Sequence, residues 1–397
     1  MRKLMMLAFS ALFLLSLNAA NPKKHYTVIV SLDGFRWDYP AMYRTPNLDR
    51  MAADGVKAVM LPSYPASTFP NHYTLATGLV PDHHGIINNT FWDAKNKRQY
   101  SMGDSATRNN PEYYLGEPIW ITAQKQGVKT GNMYWVGADI AIKNAHPTYY
   151  RPWNVKPFLS FEQRIDTVLT WLQKPEEERP GLVMLYFEEP DGSGHHNGPR
   201  SSQTGAVVQR MDSLMGVLRK KIEALPFAGD VNLIVTSDHG MTDISAERVV
   251  NINDYLKPEW CEVVDGRTPT SIFSKSEYRD SIYNTLKKAA HIKVWKKEEI
   301  PAELHYGSSD RIGDIVVAPE LGWQFTDVAR DTKGAHGYFP QSPDMQVMFR
   351  AIGPDFKTGY TAKGFVNVDI YPLLSYLLQI VPEKTDGQFE RIRDILR

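Results

Sequence analysis

The sequence predicts a doubly wound α/β fold, with a mostly parallel central sheet and helices on both faces. Short apolar runs occupy residues 26–32, 181–187 and 231–237, and each one leads into polar residues. Continuous apolar runs of this kind are typical of strands that are buried on both faces, as in a parallel sheet covered by helices. Helical patterns lie between the runs, and this alternation is characteristic of α/β folds.

The remaining elements are predicted from local signals along the chain. A further apolar run at 56–61 predicts another strand. Pro70 fits the first turn of a helix over 71–77, where its missing N–H has no partner to lose, and Gly78 is a typical helix end. Helical patterns predict four more helices, at 45–53, 161–174, 201–224 and 366–380.

The N-terminus predicts export of the protein. Arg2 and Lys3 precede an apolar run over 4–17 and then small residues, the pattern of a secretory signal peptide, which we assign to 1–19. The run is short for a membrane span, so we expect a periplasmic or secreted bacterial protein with no membrane anchor after signal cleavage. Retention of this segment as an anchor is the alternative. Residues 25–397 are predicted to form a single domain, because no linker or repeat is evident.

Composition excludes some classes of protein. The chain has 45 basic and 45 acidic residues, and this balance predicts no nucleic-acid-binding surface. Cys261 is the only cysteine, so the sequence excludes an internal disulfide and a lipid-bearing cysteine near the signal peptide. The oligomeric state is left open.

Acidic residues follow three of the predicted strands. Asp33 and Asp238 come directly after their runs, and Asp191 comes four residues after its run. Open α/β sheets bind their ligands beyond the carboxyl ends of the strands, so these carboxylates are candidates for one site. Turns also favour aspartate, and the acidic residues alone therefore do not establish a site.

Histidines accompany these aspartates. His195 lies four residues after Asp191, on what we interpret as a glycine-loosened loop; His239 adjoins Asp238, and His336 lies among glycines that permit close backbone approach. Three aspartates and three histidines form a mixed oxygen and nitrogen ligand set that suits zinc. With a threonine oxygen added, the set suffices for two four-coordinate ions, so we expect two Zn²⁺ per chain.

Thr68 is the candidate nucleophile. It lies at or just before the N-terminus of the helix that Pro70 predicts. Unpaired backbone N–H groups and the positive end of the helix dipole favour a phosphate there, beside an activated hydroxyl. A simple capping role for the Thr68 hydroxyl is the alternative.

Short motifs connect these residues with a known family. They occur along the chain as SLDGF at 31–35, PASTFPNH at 65–72, DGSGH at 191–195, SDHGM at 237–241 and GAHG at 334–337. In this order they resemble the nucleotide pyrophosphatase/phosphodiesterase family of the alkaline phosphatase superfamily. The resemblance covers nearly the whole mature chain. It implies an alkaline-phosphatase-like fold and a catalytic domain, without the cysteine-rich N-terminal module or nuclease-like C-terminal domain of larger relatives.

The resemblance also implies how the metal ligands divide. It assigns one zinc to Asp191, His195 and His336, and the other to Asp33, Asp238, His239 and the oxygen of Thr68. It implies hydrolysis in a ping-pong course, in which Thr68 carries the phosphoryl group. Zinc coordination would make its hydroxyl nucleophilic, and the second zinc would stabilise the leaving oxygen.

Further residues are implied to contact the substrate. Asn89, rather than its neighbour Asn88, matches the asparagine that binds a phosphoryl oxygen, and we expect the N–H of Phe69 to assist it. Phe69 and Tyr186 are implied to contact the nucleoside. Three weaker aromatic candidates, for which a place in the core is an equal alternative, are Trp135, Tyr150 and Trp153. Histidines expected to have only supporting or surface roles are His72, His83, His84 and His196.

The function expected from the residues and the resemblance is hydrolysis of nucleotide phosphodiester and pyrophosphate bonds, which releases nucleoside 5′-monophosphates. The partner is therefore a small-molecule nucleotide or phosphodiester. A choline or lipid-headgroup phosphodiesterase, and a phosphomonoesterase or phosphonate hydrolase, are alternatives on the same metal core. The motifs contain no arginine or lysine to select a monoester. A non-enzymatic binding protein is disfavoured, because Thr68 and every implied ligand are present.

Overall fold

A computed structural model describes residues 24–153, 155–325 and 332–397. The predicted signal peptide over 1–19 lies outside these described residues. Within them, no helix combines the length and the apolar composition needed to cross a membrane.

The strands and helices follow in chain order. The strands are β1 (Tyr26–Leu32), β2 (Val56–Leu61), β3 (Thr90–Asp93), β4 (Arg98–Ser101), β5 (Thr130–Met133), β6 (Tyr149–Arg151), β7 (Leu182–Phe187), β8 (Val231–Thr236), β9 (Thr242–Asp243), β10 (Val249–Val250), β11 (Cys261–Gly266), β12 (Thr270–Ser274), β13 (Ile292–Lys296), β14 (Ile315–Pro319), β15 (Gln324–Phe325), β16 (Gly334–Ala335), β17 (Val347–Ile352), β18 (Tyr360–Thr361) and β19 (Phe365–Val366). The α-helices are α1 (Tyr39–Met42), α2 (Pro46–Asp54), α3 (Thr68–Thr77), α4 (Pro81–His84), α5 (Ser105–Arg108), α6 (Ile119–Lys125), α7 (Phe161–Leu172), α8 (Asp191–Asn197), α9 (Ser202–Glu223), α10 (Arg279–Leu286) and α11 (Ile370–Leu377).

The central sheet confirms the predicted α/β architecture. Its order is β18-β2-β17-β8-β1-β7-β5-β6, and β19 also pairs with β2. The three predicted strands β8, β1 and β7 are adjacent and parallel, and every residue in them is buried. Strand β17 runs antiparallel to both of its neighbours, so the sheet is mostly, not wholly, parallel.

Helices cover the sheet in two groups. Helices α2 and α7 each pack against α9, and both also contact sheet strands. Helices α3, α6 and α11 form the other group, which contacts β1 and β5. This is the helix–sheet–helix layering that a mostly parallel sheet requires, because both of its faces are apolar.

One predicted helix is wrong in its extent. The pattern over 366–380 predicted a single helix, whereas α11 covers only Ile370–Leu377. Val366 is part of the strand β19, and Asn367–Asp369 form a 3₁₀ turn before α11 begins. Strand pairing with β2 therefore decides the conformation of Val366 against its local helical pattern.

A second, antiparallel sheet was not predicted. Its order is β11-β12-β14-β13, and it has its own small apolar cluster, which includes Ile272, Ile282 and Ile315. Strand β11 alternates exposed with partly buried residues, a weaker sequence signal than that of a fully buried strand. The turn between β11 and β12 lines the cleft that also borders His195 and His336.

Candidate active site

The carboxyl ends of β1, β7 and β8 bring the predicted aspartates together. Asp33 directly follows β1, and Asp238 comes two residues after β8. Asp191 is the first residue of α8, which follows β7. Because these three strands are adjacent and parallel, their carboxyl ends meet at one edge of the sheet, as the sequence predicted.

One cluster is centred on His239. Its Nε2 lies 3.3 Å from Oδ1 of Asp33 and 3.2 Å from Oδ2 of Asp238. The Thr68 Oγ1 lies 3.1 Å from the same nitrogen. All four side chains are buried, and they are the set that the resemblance implies for one of the two ions.

A second cluster is centred on Asp191. Its Oδ1 lies 3.4 Å from Nε2 of His195 and 3.7 Å from Nε2 of His336. The Nδ1 atoms of the two histidines are hydrogen-bonded to the backbone oxygens of Gly334 and Ala66, so that each Nε2 faces the carboxylate. These residues are the set implied for the other ion.

The two clusters are continuous. The rings of His239 and His336 stack with their centroids 3.7 Å apart. Donor atoms of Asp191, His239 and His336 lie within 4.8 Å of one another, and the same holds for Asp33, Asp238 and His239. His239 therefore lies at the junction of the two predicted metal sites.

The loop interpretation of Asp191 and His195 is wrong. Both belong to helix α8, where a spacing of four residues places their side chains on one face. The Glu189 carboxylate accepts the Ser193 N–H at 3.1 Å and so satisfies one of the free donors in the first turn. The glycines at 192 and 194 thus lie within a helix.

The donors in these clusters suit divalent cations. Buried oxygens of three carboxylates, Asp33 Oδ1, Asp191 Oδ1 and Asp238 Oδ2, have no hydrogen-bond donor among the described residues. Unpaired buried carboxylates are costly, and a cation that they coordinate removes this cost. Neutral imidazoles complete the mixed ligand set that zinc prefers.

Burial also shifts the pKa values of the clustered aspartates and of His239. Burial, together with the charges of Asp238 and Asp191, raises the pKa of Asp33 well above its usual range. Burial also raises the pKa of Asp238 to about 7, with the Asp191 charge as the next cause. Burial lowers the pKa of His239 to about 3, so this imidazole is neutral, which is its ligand form. A bound cation would favour the ionised carboxylates.

Helix α3 presents Thr68 to the clusters. Ser67 is the N-cap residue and Thr68 is the first residue of the helix, so the alternative of a capping role for Thr68 is wrong. The Thr68 hydroxyl is free of capping and faces Nε2 of His239. Gly78 ends the helix in the left-handed conformation, at φ 66°, as predicted.

Asn89 lies against Phe69, the residue that follows Thr68. The Phe69 N–H donates a hydrogen bond to Oδ1 of Asn89 at 2.9 Å. The expectation that this N–H is free to bind a phosphoryl oxygen is therefore wrong, because it is already paired. Asn89 keeps its two Nδ2 hydrogens as donors, whereas Asn88 is buried and its Oδ1 accepts the Asn89 N–H.

Two buried side chains, Tyr186 and His72, contact the candidate ligands and Thr68. The Tyr186 hydroxyl donates to Oδ2 of Asp33 at 2.6 Å. Nδ1 of His72 lies 2.9 Å from the backbone oxygen of Thr68 and 3.3 Å from Oδ2 of Asp238. The bond from Tyr186 to Asp33 was not predicted, although the pairing of β1 with β7 places Tyr186 opposite Ser31, near Asp33.

An aromatic cavity of about 570 Å³ borders Thr68. The aromatic rings that line it are Phe69, Tyr114, Tyr134, Trp135, Trp153 and Tyr186. Four of the five aromatic residues named from the sequence are thus brought together. The exception, Tyr150, stacks on His146 outside the cavity, with ring centroids 4.8 Å apart.

A methyl group at Gly240 is expected to disturb the site. A Cβ built on Gly240 would lie 1.9 Å from the carbonyl oxygen of Asp344. The Gly240 N–H also donates to the carbonyl of Met345 at 2.9 Å, so relief of the clash would displace the adjacent His239. We expect Gly240→Ala to lower the free energy of unfolding by about 1–3 kcal/mol, the usual cost of overpacking.

Thermal unfolding and metal content measure this effect. Gly229→Ala is the matched control, since a Cβ there would have nothing within 4 Å. Equal unfolding temperatures for the two variants would contradict the close packing of the loop that carries His239.

Comparison with known proteins finds relatives over nearly the whole chain. The family model described as "Type I phosphodiesterase / nucleotide pyrophosphatase" matches residues 27–339. Ectonucleotide pyrophosphatase/phosphodiesterase family member 5 from Homo sapiens is 34% identical over 391 residues, which are 98% of this chain and 81% of that protein. Bis(5'-adenosyl)-triphosphatase enpp4 from Xenopus laevis is 34% identical over 383 residues, which are 96% of this chain and 82% of that protein.

Solved structures extend the likeness to the fold. Murine ectonucleotide pyrophosphatase/phosphodiesterase 5, as an inactive threonine-to-alanine variant in complex with AMP, matches with a TM-score of 0.89 and 34% identity. The match covers 94% of this chain and 100% of that chain. Identity at this level over nearly the whole length shows common ancestry as well as a common fold. The chain therefore belongs to the type I phosphodiesterase/nucleotide pyrophosphatase family of enzymes, with an alkaline-phosphatase-like fold.

Proposed function

We propose that this protein is a two-zinc phosphodiesterase that hydrolyses nucleotide phosphodiester and pyrophosphate bonds and releases nucleoside 5′-monophosphates. The observation that carries the proposal is the position of Thr68. Its hydroxyl lies 3.1 Å from Nε2 of His239 and borders the aromatic cavity. Residues 25–397 act as one catalytic domain, and the N-terminal pattern over 1–19 supports export to the periplasm or the medium.

Two zinc ions per chain fit the donors. Asp191, His195 and His336 would hold one ion, and the other would be held by Asp33, Asp238, His239 and the oxygen of Thr68. The unpaired carboxylate oxygens and the neutral imidazole of His239 support this division. When bound, the ions supply Lewis acidity that lowers the pKa of the threonine hydroxyl and neutralises charge on the phosphoryl oxygens.

The chain's own residues carry the covalent steps. The Thr68 oxygen attacks phosphorus; the new O–P bond forms as the bond to the leaving group breaks. The nucleoside monophosphoryl group then remains on Thr68 until water cleaves it. The Nδ2 hydrogens of Asn89 donate to a non-bridging oxygen, since its Oδ1 is engaged by the Phe69 N–H. The rings of Phe69, Tyr186 and Trp153 contact the nucleoside in the aromatic cavity.

The relatives support a nucleotide substrate. The murine structure is described as a complex with AMP, and its inactive form is a threonine-to-alanine variant. The Xenopus relative is named a bis(5'-adenosyl)-triphosphatase. Aromatic rings beside Thr68 agree with such substrates, because base–aromatic stacking contributes roughly 1–3 kcal/mol per base.

A choline or lipid-headgroup phosphodiesterase is the second candidate. The aromatic cavity also contains Asp139 and Glu188, and aromatic rings with carboxylates suit a quaternary ammonium group. Glu188, however, forms a bidentate ion pair with Arg164, whose Nη2 lies 2.9 Å from Oε1. This pairing compensates the charge that would attract the ammonium group, and it favours the nucleotide.

Relative rates on a substrate panel test the choice. We expect kcat/KM on para-nitrophenyl thymidine monophosphate and ATP to exceed that on para-nitrophenyl phosphate at least ~100-fold, equivalent to about 2.7 kcal/mol. The reason is that stacking of the base positions the phosphoryl group for attack. If kcat/KM on the monoester equals that on the nucleotide substrates, the assignment as a diesterase is wrong. A preference for para-nitrophenyl phosphorylcholine would move the assignment to lipid headgroups.

Phe69→Ala tests the origin of the preference. This substitution should reduce the ratio of kcat/KM on nucleotide diesters to kcat/KM on para-nitrophenyl phosphate. The nucleotide loses a ring contact that the simple monoester never makes. Tyr150→Ala is the matched control, since this ring lies outside the cavity. If this ratio of kcat/KM values is the same in both variants, the aromatic cavity does not bind the base.

A further inference from the structure

Arg164 is a buried cation behind the aromatic cavity. It lies in helix α7, its side chain is only 2% exposed, and it is not one of the described residues that line the cavity. Its guanidinium donates hydrogen bonds to the carbonyl oxygens of Leu159 at 3.2 Å and Tyr186 at 3.1 Å. Both Nη atoms also donate to the carboxylate of Glu188. A planar guanidinium holds several partners in one fixed geometry, which a lysine cannot reproduce.

The same guanidinium packs on aromatic rings. Its Cζ lies 4.7 Å from the ring centroid of Tyr134 and 4.9 Å from that of Phe161. Tyr134 lines the cavity and contacts Trp153 edge-on, with ring centroids 5.4 Å apart. The centroid of Trp153 in turn lies 6.0 Å from that of Tyr186. The guanidinium thus contacts, directly or through a carbonyl oxygen, the two tyrosines on which Trp153 packs.

The contacts of Arg164 join three separate parts of the chain. Tyr134 directly follows strand β5, Tyr186 belongs to β7, and Leu159 lies in the segment before α7. The Leu159 N–H also donates to the Tyr134 hydroxyl at 3.2 Å, which closes this set of contacts. The spacing between the aromatic walls of the cavity therefore depends on one side chain that lies outside the cavity.

Glu188 is the charged group that Arg164 compensates. Its side chain lines the aromatic cavity and is 42% exposed. Without the guanidinium, the cavity would contain an uncompensated negative charge near the anionic phosphoryl group, and like charges repel. A nucleoside carries no cation to offset that charge. A quaternary ammonium group does, and it also binds well among aromatic rings. Arg164 thus affects the charge of the cavity as well as its shape.

We propose that Arg164 is a positioning residue that determines the preference of the aromatic cavity for a nucleoside over choline. It acts through Tyr134, Tyr186 and Glu188 and does not touch the substrate. Its hydrogen bonds hold the ring walls against which a base stacks, and its charge cancels that of Glu188. This inference rests on the proposed function, and it names the residue that decides between the two classes of phosphodiester considered there.

Kinetics of Arg164→Met on two diesters with the same leaving group test the proposal. Para-nitrophenyl thymidine monophosphate and para-nitrophenyl phosphorylcholine differ only in the group that would occupy the aromatic cavity. We expect the ratio of kcat/KM on the nucleotide to kcat/KM on the choline ester to fall at least ~10-fold, mainly through a higher KM for the nucleotide. Zinc content should stay close to two ions per chain, because the hydrogen bonds of Arg164 go to the cavity wall and not to candidate ligands.

A second substitution separates the effect of charge from general damage. Adding Glu188→Gln to Arg164→Met removes the uncompensated carboxylate, so it should raise the lowered ratio at least ~3-fold. A merely structural loss at Arg164 would not be repaired in this way. Arg164→Lys keeps the charge without the planar fork and should give an intermediate ratio. It also tests the proposal if the methionine variant fails to fold.

Arg179→Met is the matched control. The Arg179 guanidinium also packs on an aromatic ring, with its Cζ 3.6 Å from the centroid of Phe227, and donates to the carbonyl of Lys174 at 3.1 Å. It also donates to the hydroxyl of Tyr26, at the start of β1 and thus at the end of that strand remote from the site. Both variants should lower the unfolding temperature, whereas only Arg164→Met should change the ratio of kcat/KM values.

The outcomes distinguish this inference from the proposed function. A ratio that is unchanged in Arg164→Met, or that Arg179→Met lowers equally, would overturn the specificity role while the wild-type enzyme still hydrolyses nucleotides. A double variant with Glu188→Gln that shows no restoration would overturn the role of charge compensation. Failure of the wild-type enzyme to hydrolyse the nucleotide diester at all would instead defeat the nucleotide phosphodiesterase itself.

Discussion

Replacement of Thr68 by alanine is expected to lower turnover of nucleotide diesters at least ~1,000-fold, equivalent to about 4 kcal/mol of transition-state stabilisation. The Thr68 hydroxyl is the oxygen that lies between the ligand clusters and the aromatic cavity, 3.1 Å from Nε2 of His239. Without it no covalent phosphoryl-enzyme can form. The backbone of helix α3 does not depend on this hydroxyl, because Ser67 occupies the N-cap position. Fold and most of the metal should therefore be retained.

Two further variants complete this experiment. Thr68→Ser should retain substantial activity, since it keeps the oxygen. Thr77→Ala, in the same helix but with its hydroxyl bonded to the carbonyl of Tyr73, is the control for loss of a helical threonine. Acid quenching of the wild-type enzyme followed by mass spectrometry should detect a nucleotidyl group on Thr68. Near-normal rates for the alanine variant would mean that water attacks directly, and the covalent mechanism would be wrong.

His336→Ala is expected to reduce activity nearly as much as Thr68→Ala does, and to halve the metal content. Metal analysis of the wild-type protein should find close to two zinc ions per chain, and His336→Ala should lower this to about one. Its Nε2 lies 3.7 Å from Oδ1 of Asp191, whose buried oxygen has no donor among the described residues. A chelator should abolish the activity of the wild-type enzyme, and zinc should restore it.

The control for this variant is an exposed histidine. His291 stacks on Trp323 and pairs with Glu320, far along the chain from the ligand motifs. His291→Ala should therefore leave the zinc content unchanged. A fully active preparation with one ion or none would contradict the two-metal site.

The sequence was sufficient for the main sheet and for the identity of the candidate ligands. Strands β1, β7 and β8 are buried on both faces, and this produces continuous apolar runs that are visible without a structure. In parallel strands a polar residue just past each run must come to the same edge, so Asp33 and Asp238 could be placed there from their positions alone.

The sequence was less informative about local conformation near the site. Helix α8 was interpreted as a loop, because Gly192 and Gly194 have low helix propensity. Tertiary contacts override that propensity: the Glu189 carboxylate binds the Ser193 N–H, and Met241 packs against the glycine at 194. A propensity is a weak local preference, and a contact with another element can exceed it.

Only the tertiary structure determined which side chains from distant parts of the chain meet around the cleft. The bonds from Tyr186 to Asp33 and from Gln99 to Asp265 join residues that are 153 and 166 positions apart. Arg267 reaches the cleft because the antiparallel sheet packs beside the β3–β4 hairpin. Hydrophobic periodicity and turn signals report each residue's relation to its neighbours along the chain. They carry no information about which distant side chain it will meet, and that meeting determines what each side of the cleft can bind.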